Sequence, residues 1–315
     1  MAHKAPGKHF RKGLSLVEIT RMFPDDATAE RWFVETRWAD GVHCPDCGST
    51  NVQERPTRKP QPYRCRDCRK DFSVKLGTLM EGSKLGFQVW AIAIFLLATN
   101  LKSVSSMKLH RDLGITQKTA WYLAQRIRET WRDNGSPFAG PVEADEAYLG
   151  GKRKNMSAKK RKAMKGAGPT AGKAIVVGAK DRESNQVVAR VVENTEGPTL
   201  KGFVAEHTAP GATVYTDESK SYSGLGGDFD HDTVNHSAGE YVRGMAHTNG
   251  IESFWAMLKR GYQGTFHHFS EKHCDRYVNE FAGRHNDRDA DTLDIMGHMA
   301  KGLEGKRLQY RDLIA

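Results

Sequence analysis

At 315 residues the chain has room for two or three domains and a sizeable core. Its 48 Lys and Arg against 38 Asp and Glu leave a formal charge of +10, a surplus that favours polyanionic partners, nucleic acid first. The longest apolar run, residues 87–98, is too short to span a bilayer and no signal-peptide pattern opens the chain, which argues against a membrane protein and predicts a cytoplasmic one.

Residues 1–13 read as a loose basic arm. Leu14 to Phe23 and Thr28 to Trp38 carry the apolar spacing of two short helices, and Pro24-Asp25-Asp26 breaks the first and can cap the second. The pairs Cys44-Pro45-Asp46-Cys47 and Cys65-Arg66-Asp67-Cys68 follow. Each C-x-x-C turn projects two thiolates, and two such turns close a tetrahedral zinc site of Cys44, Cys47, Cys65 and Cys68. Short strands near Val52 and Tyr63 make residues 41–75 a zinc ribbon. A closed four-thiolate shell supplies folding energy rather than catalysis. His43 is superfluous to it, and Cys274 reads as a packed, reduced thiol.

Gly86 to Asn100 reads as a buried helix. Within residues 76–135, Val104 to Leu113 ends at Gly114, and Thr116 can cap a helix running to Trp131. A short helix, a Gly-containing turn and a longer helix have the layout of a helix-turn-helix, although other helical hairpins share it. Gln117, Lys118, Thr119 and Tyr122 at the start of the second helix are its candidate DNA contacts. Asn134-Gly135-Ser136-Pro137 is turn chemistry and marks a boundary.

Residues 141–149 alternate like a strand and place Asp145 at its end, before Gly150-Gly151. Lys152, Arg153, Lys154, Lys159, Lys160, Arg161, Lys162 and Lys165 come next with no acid among them, a solvated loop able to hold phosphate backbone. Strands are expected at Ala174–Ala179, Val187–Val192 and Thr213–Asp217, a helix at Thr199–His207, and a strand and turn at His231–Asn235. In His247 to Tyr262 the apolar residues Ile251, Phe254, Trp255, Leu258 and Tyr262 form one helical stripe, with Glu252 and Lys259 almost in line along its edge. Glu271 to Asn286 is a further helix and Leu293 to Leu313 a closing helical tail. Asp145, Asp217 and Glu252 thus come from three separate elements. Carboxylates so supplied suit two Mg²⁺ or Mn²⁺ ions about 3.5–4 Å apart, which stabilise an in-line displacement at a phosphodiester.

C-P-D-C and C-R-D-C, V-E-A-D-E-A-Y-L-G-G-K, Y-T-D-E-S-K-S-Y, V-N-H-S-A-G-E-Y-V and H-T-N-G-I-E-S-F-W-A-M-L-K-R, with Y-V-N-E-F-A-G-R-H-N after it, resemble bacterial insertion-sequence transposases of the DDE type, in the zinc-ribbon-bearing group related to Merlin elements. The resemblance implies an α/β, ribonuclease-H-like (integrase-type) core over residues 138–292, behind an N-terminal segment 1–40, the ribbon and the helix-turn-helix, with 293–315 as a tail. It implies Asp145, Asp217 and Glu252 as catalytic metal ligands, Lys259 (with Arg260 beside it) on DNA near the cut, and Asn249 in support. The activity implied is cleavage at an element end by water, followed by attack of the freed 3′-hydroxyl on target DNA. Ribbon and helix-turn-helix would recognise terminal inverted repeats of double-stranded DNA. Pairing two ends implies a homodimer or higher oligomer, nucleoid-associated when bound. Two rival readings remain open here: a structure-specific metal-dependent nuclease that cuts without joining, and a zinc-ribbon DNA-binding regulator without catalysis.

Overall fold

Local capping chemistry sets the first two helices. Ser15 accepts the amide of Glu18 and Glu18 returns its carboxylate to the amide of Ser15, which starts α1 (Leu16–Met22). Asp25 accepts the amide of Thr28 at 2.7 Å and starts α2 (Asp26–Arg37). The computed structural model describes residues 12–132, 135–151, 153–165, 168, 170–234 and 247–315. They divide into two units, the described residues of 12–131 with 287–315, and those of 132–286.

In the first unit, β1 (Val52–Glu54), β2 (Tyr63–Cys65) and β3 (Asp71–Phe72) form a small antiparallel sheet in that order. Strands this short carry little core of their own. Trp38 at the end of α2 closes over them, its ring 5.7 Å from Tyr63 and 6.0 Å from Phe72. The next helix, α3 (Phe87–Thr99), is apolar on nearly every side and buried accordingly. Ser105 caps α4 (Ser106–Leu113), Gly114 closes it at φ 63°, and Thr116 caps α5 (Gln117–Arg128). A 3₁₀ turn, Glu129–Trp131, completes the span expected of the second helix.

The second unit is built on a five-stranded sheet. Its strands are β4 (Val142–Leu149), β5 (Ala174–Asp181), β6 (Val187–Val192), β7 (Thr213–Asp217) and β8 (Asp230–Val234), in the order β6-β5-β4-β7-β8. β6, β5 and β4 are antiparallel neighbours, whereas β7 runs parallel to β4 and β8 parallel to β7. Successive side chains of a strand point to opposite faces. On one face Ala147, Leu149, Val176, Val187 and Ala189 pack against α8 (Asn249–Gly261) and α9 (Glu271–Asn286). On the other Val142, Ala144, Val177 and Ala179 pack against α7 (Gly197–His207) and against Tyr222, Leu225 and Phe229. Two expectations are revised. Asp145 lies in the middle of β4, not at its end. The basic segment is not all loop, since Ala158–Ala163 forms α6, with alanine, lysine and arginine all strong helix formers.

The C-terminal residues are not a separate tail. After α9 the chain re-enters the first unit as α10 (Thr292–Lys301) and α11 (Tyr310–Ile314), divided by a non-helical stretch where one continuous helical segment was expected. Ile295, Met296, Met299, Leu303, Leu308 and Leu313 share one core with Phe33, Trp38, Trp90, Leu97, Leu109 and Leu123. The described residues of the segments read as 1–40, 41–75, 76–135 and 293–315 are therefore parts of one unit, except that the third segment ends at Trp131 and 132–135 belong to the other. α3 is apolar on nearly every side, and the C-terminal helices supply part of the cover that buries it.

Candidate active site and the cysteine cluster

The pairing register places the two strand carboxylates. Glu143 of β4 pairs with Tyr215 of the parallel β7, the last pair of that ladder, and the same register carried on by two residues sets Asp145 opposite Asp217. Adjacent strands stand about 4.8 Å apart, and two acids so placed feel each other's charge. Burial, with the charges of Glu146 and then Asp217 adding to it, raises the Asp145 carboxyl to about 7. Glu146 points to the opposite face, where Tyr222 donates to its Oε2 at 3.1 Å; burial and Asp217 raise it too.

The helix above is held to the first of these acids by an indole. Trp255 of α8 donates its Nε1–H to Asp145 Oδ2 at 3.0 Å. The residue across from Asp145 on β5 is Gly178, where a Cβ would stand 2.7 Å from Trp255 Cη2, so only glycine leaves room for the ring. Glu252 is one turn before Trp255, exposed, with Thr248 donating to its Oε1 at 3.0 Å. Asp145 and Asp217 are thus brought side by side and Glu252 to the neighbouring helix turn. The three are not drawn into one group with all ligand oxygens within 4.8 Å; among the described residues only four cysteines meet that measure.

Raising the pKa of Asp145 has a sign that can be tested. The folded state keeps a proton that an unfolded carboxyl releases near pH 3.9, so this group's contribution to stability falls as pH rises from about 4 to 7. In protein that retains its zinc but is kept free of Mg²⁺ and Mn²⁺, Asp145→Asn is expected to melt a few degrees (~2–6 °C) above wild type at pH 8 and to converge with it near pH 4. An offset independent of pH would refute the assignment.

Lys259 and Arg260 are exposed in the last turn of α8, two turns beyond Glu252. Of the expected helix-turn-helix contacts, Gln117 and Lys118 are exposed. Gln117 donates to Ser106 Oγ at 2.9 Å, and the Lys118 ammonium lies 4.5 Å from the ring of Tyr310. Thr119 is half-buried, its hydroxyl 2.8 Å from that of Thr116; Tyr122, also half-buried, donates to the carbonyl of Leu308 at 2.7 Å and so secures the C-terminal segment. Lys154, Lys159 and Arg161 are exposed. Lys152 and the side chains of Arg153 and Lys160 lie outside the described residues, as does the 234–242 motif beyond Val234. Sequence reasoning missed Glu143 and Arg182, which meet at the base of α8; the signal available was two acids, Glu143 and Asp145, at strand spacing in an otherwise apolar run.

In the first unit the Sγ atoms of Cys44, Cys47, Cys65 and Cys68 all lie within 4.8 Å of one another, with Cys44–Cys68 and Cys47–Cys65 at 3.6 Å. Thiolates about 2.3 Å from a tetrahedral zinc would stand about 3.8 Å apart, so the donor set and its spacing fit that ion. The backbone shapes both turns: Gly48 donates to the carbonyl of Cys44 at 2.8 Å, and Cys65 to that of Lys70 at 2.9 Å. The amide of Cys68 points at Cys65 Sγ and lowers that thiol to about 7, which favours the ligating thiolate. Asp67 links the two turns, accepting from Ser49 and, at 2.8 Å, from Asn51 Nδ2. Cys274 is elsewhere and buried, and burial pushes its thiol up to about 12.

Residues 137–286 match the family model described as the ISXO2-like transposase domain, and residues 24–71 that of the transposase zinc-ribbon domain. A relative from Halobacterium salinarum, described as an uncharacterized protein in transposable element ISH50, is 28% identical over 250 residues, covering 76% of this chain and 84% of its own. No helix among the described residues is long and apolar enough to cross a membrane.

Proposed function

From a chain that carries both domains, and so belongs to the insertion-sequence transposases, we infer a DNA transposase that binds the terminal inverted repeats of its element, cuts there and joins the freed end to target DNA. The observation that carries this reading is that Asp145 and Asp217, on adjacent parallel strands, act on each other's charge beneath the helix that bears Glu252. The sheet order β6-β5-β4-β7-β8, three antiparallel strands continued by two parallel ones, supports a ribonuclease-H-like core.

Asp145, Asp217 and Glu252 would hold two Mg²⁺ or Mn²⁺ ions. Carboxylates on separate elements suit such ions, which take hard oxygen ligands and keep waters in the remaining positions. When bound, such ions neutralise charge on the attacking and leaving oxygens of an in-line displacement. The chain's own residues do the rest. Trp255 holds the Asp145 carboxylate in one orientation, and Lys259 and Arg260 present cations along α8 where the phosphate backbone would run. Lys154, Lys159 and Arg161 extend that charge, and Gln117 and Lys118 offer polar groups at the start of α5 to an element end. Two such ends are held by a homodimer or higher oligomer, in the cytoplasm and on the nucleoid.

The test is a duplex carrying the flanking element ends, incubated with Mg²⁺ and then with Mg²⁺ withheld from the zinc-loaded protein, together with pre-cut ends and a plasmid target. Metal-dependent cuts at the ends and joined products are expected. Cutting without joining would establish the nuclease instead, and binding with neither would establish the regulator.

A further inference from the structure

Glu143 is 1% exposed and has no part in the chemistry above. Its Oε2 accepts the amide of Ile251 at 2.8 Å, in the first turn of α8 and next to Glu252. Its Oε1 accepts Arg182 Nε at 2.7 Å and lies 3.3 Å from His247 Nδ1. Arg182, directly after β5, also donates to the carbonyl of His247 at 2.6 Å, and its guanidinium lies 4.2 Å from the ring of Tyr215 on β7. Lys180 of β5 donates to the carbonyl of Gly250 at 3.4 Å. All three strands around the carboxylate pair therefore meet the start of α8 at this one buried ion pair.

A helix start is ordinarily capped by the residue before it. Here Thr248 makes no side-chain cap and its hydroxyl is turned to Glu252, so the cap comes from a carboxylate 108 residues away in sequence. A local cap would steady the helix equally well, but a remote one also joins it to β4. Apolar packing tolerates sliding, whereas a directional hydrogen bond to a helix amide fixes height and rotation. Gly250 makes the approach possible: a Cβ there would stand 2.7 Å from Glu143 Oε2 and 3.0 Å from Lys180 Nζ.

We propose that Glu143 is a positioning residue, which with Arg182 sets α8 over β4 and so fixes the separation of Glu252 from Asp145 at which a divalent cation is held. This rests on the reading of those two acids as cation ligands. The experiment measures Mn²⁺ binding to the full-length chain by electron paramagnetic resonance, and DNA cleavage as a function of Mn²⁺ concentration, for Glu143→Gln, Gly250→Ala and Asp145→Asn. Glu143→Gln and Gly250→Ala are each expected to raise the Mn²⁺ dissociation constant about 10- to 100-fold, with cleavage restored to within a few-fold of wild type at saturating Mn²⁺. Gly250→Ala retains every charge and improves helix propensity, so it decides the matter if Glu143→Gln does not fold. Unchanged Mn²⁺ affinity in the folded variants overturns the proposal, whether cleavage is normal or uniformly depressed. Asp145→Asn separates the two levels. If it abolishes Mn²⁺ binding and cleavage while the other variants match wild type, only the positioning role falls. If it binds and cleaves like wild type, the carboxylate reading falls and takes the proposal with it.

Discussion

Asp217→Asn should reduce DNA cleavage by at least about a thousandfold while leaving affinity for an element end within a few-fold of wild type. Asparagine is the informative choice because of what Asp217 does structurally. Its Oδ1 accepts the amide of Ser219 at 3.0 Å, turning the chain after β7, and an asparagine oxygen accepts that bond equally well. The substitution thus removes the negative charge and little else. Stabilising the charge of a phosphodiester displacement is worth several kcal/mol, and each 1.36 kcal/mol is tenfold in rate. Loss of the charge should also relieve its neighbour, since Asp217 is one of the charges that raise the Asp145 carboxyl. The measurement is single-turnover cleavage of a labelled duplex alongside a binding isotherm. Wild-type cleavage by the variant would remove Asp217 from the site, and loss of binding in step with cleavage would make the residue structural.

Cys65→Ser, or treatment with a strong chelator, is expected to unfold the ribbon and abolish binding to element ends. Strands of two and three residues cannot hold themselves. The free energy of zinc binding, roughly 10–16 kcal/mol in small zinc domains, is what orders such a fold. The loss would spread, because Cys44 and Cys65 lie in the same core as Trp38, Phe72 and Trp90. Zinc analysis should find one ion per wild-type chain and a fraction of that in the variant. Calorimetry should show an early transition lowered by more than about 10 °C while a later one, from residues 132–286, stays in place. A variant that keeps end binding and both transitions would make the cysteines dispensable.

Features governed by neighbours in sequence were legible, and those governed by distant pairing were not. Asp25 and Thr116 cap the helices expected of them, because a cap acts over three residues. Each C-x-x-C turn was legible because it is a local motif, although the two converge through the pairing of β1 with β2. Thr213–Asp217 and Glu271–Asn286 form with the expected bounds. Asp145, Asp217 and Glu252 could be picked out as residues, yet the adjacency of the first two depends on the parallel register of β4 and β7. No spacing within either strand encodes that register. The strand spacing of Glu143 and Asp145 could have marked Glu143, but its partners could not be read, since Arg182 and the amide of Ile251 arrive from elsewhere. The return of residues 287–315 to the first core was likewise not legible, because the partners that bury α3 lie far away in sequence.

That return imposes an order on synthesis. Residues 132–286 are complete before the last strip of the first core, Ile295 to Leu313, has been translated. A message cut short in between, by a frameshift or an early stop, would still encode every candidate catalytic acid, yet leave the segment that packs against α3 missing. Such truncated copies are expected to be insoluble or rapidly degraded, because the unfinished first core leaves α3 exposed.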